Sequence, residues 1–182
     1  MTKTSHLYHG TLARHLPAIA ANGLLPMVGP FTEKSYGRQS DRIVPAVFMA
    51  ADGDLERVVH AMVAAIMFEV TEEDFARYDI GNDYHLNDDL FFEYGALAVI
   101  DRKDSFSRAG KPNPGVDEPF QVEDGDWYSL EPVRPANALS GESLRLFLAE
   151  RNLTPSSIND FVDPDSIEAG SRPIKKPPLD LY

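Results

Sequence analysis

The chain contains no cysteine. That excludes disulfides, thiolate zinc sites and thiol nucleophiles. It has no run of about 18 apolar residues, the length that a membrane-spanning helix needs. The opening stretch MTKTSHLYHG lacks the apolar core of a secretory signal, so a cytoplasmic location is expected, with delivery as an effector by another signal as the alternative. Cations are scarce: 17 Lys and Arg stand against 29 Asp and Glu, a net charge of −12. Nucleic-acid binding is driven by Lys and Arg that displace counterions, so bare DNA is a poor expected partner, and an anionic membrane surface is equally poor. The GxSxG elbow, the GxGxxG fingerprint and the Walker A loop are all absent. The histidines show neither HxxxH nor HExxH spacing. His6 and His9 are three apart on a predicted strand, where they face opposite ways and cannot share one ion. No metal is expected.

What is present suits one domain with a real core. The 182 residues are 43% hydrophobic and 25% charged, ordinary values for a globular protein. Leu7 to His9 reads as a first strand that Gly10 ends, with Thr11 positioned to cap a helix carrying Leu12, Leu16 and Ile19. Gly23 reads as the C-cap of that helix, and Pro26 prevents its continuation. Residues 27 to 45 read as a long loop, of the kind that is usually functional. A buried strand over 46–50 follows. Leu55, Val58, Val59, Met62, Val63 and Ile66 then form one apolar helical face. The end of that run, IMFEV, reads as a strand. TEEDFARY reads as a short helix, and LFFEYGALAVI over 90–100 as the most apolar strand of the chain. FQVEDGDWYSLEPV reads as a hairpin about Asp124-Gly125. Ser140 precedes a last helix with Leu144, Phe147 and Leu148 as its core face. Irregular interleaving of strands and helices predicts an α+β domain over 1–153, with 154–182 as a partly flexible C-terminal extension.

One set of motifs is specific in combination. LYHGT is followed by L…L…I…NGLLP, then by VFMA leading into DGDLERVVHAM, then by EYGALAVID. This order resembles the ADP-ribosyltransferase superfamily, in the branch of the poly(ADP-ribose) polymerases, RNA 2′-phosphotransferases and DNA-modifying toxins. There a first strand ends in His-Gly-Thr or His-Gly-Ser, a GL.P segment follows, and a strand of the form IYFA or VYLT leads into a helix. The resemblance covers residues 6 to 100, and more weakly 119 to 139.

The resemblance implies a split, curved sheet flanked by helices, with NAD held in its cleft as co-substrate. The implied activity is transfer of ADP-ribose from NAD to a protein or small-molecule acceptor, with nicotinamide released. A bacterial or phage toxin or effector, with a neutralising partner, is one implied setting. His9 would bond a ribose hydroxyl, with Thr11 completing the motif. Gly10 would expose its backbone to the nicotinamide amide, where any Cβ would obstruct. Phe48, in the slot of a tyrosine, would offer a stacking wall, and His60 lies near the place of a second. An acid would hold the 2′-hydroxyl and stabilise the cationic transition state. Glu93, placed at the head of a strand, is the first choice. Asp126, just before a strand that finishes in V.P, is the second, with Glu123 as its expected neighbour across the Asp-Gly turn. Two alternatives stand beside this expectation. One is an RNA 2′-phosphotransferase, for which Arg14, Arg38 and Arg42 could grip phosphate. The other is a catalytically silent NAD-binding module.

Overall fold

The computed structural model describes residues 6–27, 44–69, 71, 73, 77, 88–109 and 126–155. It is an α+β structure built on one six-stranded antiparallel sheet. The strands are β1 (His6–Leu12), β2 (Val47–Ala51), β3 (Gly95–Asp101), β4 (Ser107–Arg108), β5 (Trp127–Ser129) and β6 (Asn137–Ser140). Their order in the sheet is β4-β5-β2-β1-β3-β6. The described helices are α1 (Leu16–Asn22), α2 (Leu55–Glu69), α3 (Asp88–Tyr94) and α4 (Gly141–Ala149). Glu123, Arg38, Arg42 and the extension beyond residue 155 lie outside the described residues.

The two faces of the sheet bury different clusters, as period-two alternation requires. On one face Tyr8, Leu12, Ala50 and Leu97 pack against Val58, Val59, Met62 and Ile66 of α2, Phe91 of α3 and Leu144 of α4. On the other face Leu7, Val47, Met49, Ala98 and Ile100 gather with Leu24, Phe106 and Val133. The apolar stripe of α2 is buried as its spacing predicts: Leu55, Val58, Val59, Met62, Val63 and Ile66 all lie in the core. At the end of α1, Gly23 takes φ +80° and returns its N–H to the Ile19 carbonyl at 2.8 Å. A positive φ of this kind is open to glycine, and it ends the helix where expected.

Three local readings need correction. First, β1 does not end at Gly10; it runs on to Leu12, so Thr11 sits in the strand opposite Ala96 and caps no helix. Glycine is tolerated there because helix α2 needs the space. A Cβ on Gly10 would lie 2.4 Å from Met62 Cγ and 3.0 Å from the Val58 carbonyl oxygen. Second, Ile66–Glu69 finish α2 and do not begin a strand. Third, residues 90–94 are helical. Leu90, Phe91 and Phe92 are adjacent and all buried, because α3 is wedged between the sheet, α2 and α4. Only from Gly95 does the chain become β3. The turn of the expected hairpin, Asp124-Gly125, lies outside the described residues, which include only its second strand, β5. Both of its edges are taken: Tyr128 pairs with Phe48 of β2 and with Ser107 of β4.

Candidate functional site

The sheet forks between its two central strands. β1 and β2 pair at Leu7–Ala51 and Tyr8–Ala50, and their ladder then stops. Beyond that point His9 to Leu12 of β1 pair with β3, while Val47 to Met49 of β2 pair with β5. In an antiparallel sheet, successive residues turn their N–H and C=O groups to alternate sides. Every second residue of His9–Leu12 therefore turns its backbone polar groups into the fork. The polar groups of such an edge are satisfied by other groups of the chain, by water or by a ligand.

His9 is the first residue past the split. Its Nδ1 donates to the Phe48 carbonyl oxygen across the gap, at 2.8 Å. The bond fixes the neutral ring with its proton on Nδ1 and leaves Nε2 as an acceptor. Among the described residues Nε2 has no hydrogen-bond partner. Burial pushes the His9 pKa below its ordinary 6.5, and the bond to Phe48 pulls weakly the other way. A neutral imidazole with a free acceptor suits a ribose hydroxyl.

The two prongs present different sides. Phe48 alternates with Val47 and Met49, so its half-buried ring lies on the helical side with Ala50, opposite Tyr128. His9 alternates with Tyr8 and meets the Phe48 main chain instead of its ring. Helix α2 roofs the helical side, since Met62 and the Val58 carbonyl lie over Gly10. The missing Cβ of Gly10 is thus used by α2, and only the backbone polar groups of Gly10 remain for a ligand.

The acids separate clearly. Asp126 directly precedes β5, one position beyond the Met49–Trp127 pair and so beside Ala50. Ala50 in turn pairs with Tyr8, which places Asp126 about 10 Å, two strand spacings, from β1 at the closed end of the fork. Its side chain is 16% exposed and meets Arg57 of α2, with Oδ1 to Nη1 at 3.0 Å and Oδ2 to Nη2 at 3.2 Å. Glu93 lies elsewhere. It sits in the last turn of α3, ahead of Gly95, which pairs with Leu12 at the far end of β1 from the split. Its carboxylate is 44% exposed and bonds Arg77 at 2.9 and 3.2 Å. The expectation that Glu93 heads a strand in the cleft fails because that stretch is helix. His60 is exposed on α2, away from the stripe that faces the sheet.

Arg57 was missed by sequence reasoning. The only signal was an arginine in the first turns of the helix after VFMA, and its partner lies 69 residues away. Arg14 lies in a 3₁₀ turn after β1 and donates to its neighbour His15 at 3.3 Å. Among the described residues, no three His, Asp or Glu side chains converge on one point as metal ligands would, and no described helix is long and apolar enough to cross a membrane. No family model, no curated protein and no solved structure matches the chain.

Proposed function

We infer that the fork between β1 and β2 is a nucleotide cleft and that the protein is an NAD-dependent ADP-ribosyltransferase. The observation that carries this reading is the split after Tyr8–Ala50, bridged at once by the bond from His9 Nδ1 to the Phe48 carbonyl. The motif that resembles the superfamily, LYHGT, and the motif in its second slot, VFMA, are the two prongs of the split. The resemblance implies a split sheet holding NAD, and the two prongs, joined by residues 39 apart in sequence, support that reading.

The residues suit the group. NAD offers ribose hydroxyls, an aromatic carboxamide and a bond whose cleavage develops positive charge. His9 Nε2 would accept from a ribose hydroxyl. Backbone N–H and C=O groups on the open edge of β1 would pair with the carboxamide. The Phe48 ring would form an apolar wall against the nicotinamide. Asp126 would accept from the 2′-hydroxyl and lower the energy of the cation that forms as nicotinamide leaves with the bonding pair. Asp126 replaces Glu93 as the acid, because Asp126 stands at the closed end of the fork and Glu93 near the far end of β1.

The acceptor is read as a protein or small molecule, in keeping with the net charge of −12. A toxin or effector setting rests on the resemblance alone. The test is to incubate the protein with NAD and cell lysate and to follow free nicotinamide. Release by the wild type that is lost in His9→Ala supports the reading. A folded wild type that releases none with any lysate overturns it.

A further inference from the structure

We propose that Arg57 is the positioning residue for Asp126: its guanidinium fixes the carboxylate in one orientation for the transfer step. The proposal rests on the transferase reading above, and it assigns a role to a residue outside the motifs that suggested that reading.

The geometry is a two-point fork. Nη1 and Nη2 of Arg57 engage the two carboxylate oxygens separately, at 3.0 and 3.2 Å. A single-point cation would let the carboxylate rotate, whereas two parallel bonds hold its plane. Asp126 is the less exposed member, at 16% against 38% for Arg57. The acid is therefore the sheltered group and the arginine reaches it from the rim.

The placement on α2 links this pair to the cleft. Arg57 directly precedes Val58, whose carbonyl lies over Gly10 on the other prong. Consecutive residues of one helix thus hold the acid and roof the fork. Any shift of α2 moves both together.

Two effects of the guanidinium oppose each other. It offsets part of the negative field that Asp126 offers to a developing cation. It also removes the freedom of the carboxylate. The first effect is small because the guanidinium is more than a third exposed and is screened by solvent. The second is large, since a misplacement of about 1 Å costs on the order of 100-fold in rate. Positioning wins.

The experiment measures nicotinamide release from NAD between pH 4.5 and 8.5 by wild type, Asp126→Asn, Arg57→Met and Arg57→Lys, with thermal unfolding of each. Arg57→Met is expected to lower kcat by about 10- to 100-fold with KM little changed. The acid limb of its pH profile should move slightly to higher pH, because a carboxylate that loses its cation protonates more readily. Arg57→Lys keeps the charge and loses the two-point hold, so it should restore the acid limb and only part of kcat. Wild-type kcat and an unmoved acid limb in Arg57→Met, beside a silent Asp126→Asn, overturn this proposal alone. A loss confined to KM also overturns it, since Arg57 would then contact NAD itself. If Arg57→Met fails to fold, an Arg57→Lys enzyme with the kcat and acid limb of the wild type overturns the two-point hold. An inactive wild type, or full release by Asp126→Asn, overturns the transferase reading and this proposal with it.

Discussion

Replacing Gly10 by alanine separates two reasons for a glycine in the first strand. One is room for a ligand; the other is room for helix α2. An alanine Cβ would lie 2.4 Å from Met62 Cγ and 2.9 Å from Met62 Sδ. The Met62 side chain is flexible, but it is 1% exposed and has little space to retreat into. Its Cε already lies 3.1 Å from where a Cβ on Gly95 would be, so both neighbouring strands hem it in. The Val58 carbonyl at 3.0 Å is backbone and cannot rotate away. Forcing one methyl group into a packed core costs about 1–3 kcal/mol. Alanine recovers about 0.5–1 kcal/mol of the entropy that glycine loses in a strand. The net expectation is a loss of about 1–2 kcal/mol, or a Tm lower by about 3–6 °C for a chain of this size. Thermal and urea unfolding followed by circular dichroism would measure it. Met62→Ala alone should cost about 2–5 kcal/mol through the cavity it leaves. In the double variant the new methyl group enters that cavity, so the combined loss should fall short of the sum by about 1 kcal/mol or more. Unchanged stability in Gly10→Ala, or strict additivity with Met62→Ala, would refute the packing origin of this glycine.

Other outcomes follow from the same geometry. His9 is held neutral by burial, so the unfolded chain binds a proton there more readily than the folded one. Stability should therefore be fully present above the unfolded value of 6.5 and fall as pH drops below it, toward the depressed folded value. The decline in unfolding free energy between pH 7.5 and 5 should be smaller in His9→Gln than in the wild type, and an equal decline would contradict the buried neutral ring. Glu93→Gln removes an exposed ion pair with Arg77 and should change stability by less than about 1 kcal/mol in urea titration. Leu144→Ala empties a fully buried position where α4 meets the sheet, and it should cost about 2–5 kcal/mol in the same titration.

The parts of the fold that were legible in sequence are those with one clear period. The α2 stripe from Leu55 to Ile66 could be read because a long helix with one buried face repeats its apolar residues every three or four positions. The last helix was legible through Leu144 and Leu148 for the same reason. LFFEYGALAVI was misread because both its helix and its strand are buried. A run that is apolar on all sides carries no period to separate the two. Asp88 and Asp89 ahead of it were the missed sign of a helix start, and Gly95 marks the break. The carboxylate of Asp89 bonds Arg145 of α4 at 2.7 Å, a contact 56 residues away that no local pattern reveals.

The candidate site divides in the same way. LYHGT and VFMA were found as short motifs, and they do occupy the two prongs of the fork. Their meeting point was not legible, because the bond from His9 to Phe48 is made to a carbonyl, and main-chain groups have no sequence signature. The setting of Glu93 was misread for a structural reason: it was placed at the head of a strand, and it lies in the last turn of a helix. Asp126 looked like a turn residue, and its ion pair with Arg57 needed the fold to bring α2 beside β5.

The most direct test compares nicotinamide release by wild type, Asp126→Asn and Glu93→Gln under one set of conditions, with folding of each checked by circular dichroism. If the fork between β1 and β2 is the NAD cleft, the wild type releases nicotinamide, Asp126→Asn does not, and Glu93→Gln matches the wild type. Release that survives Asp126→Asn and vanishes in Glu93→Gln would place the chemistry at α3 and contradict the cleft proposed for the fork.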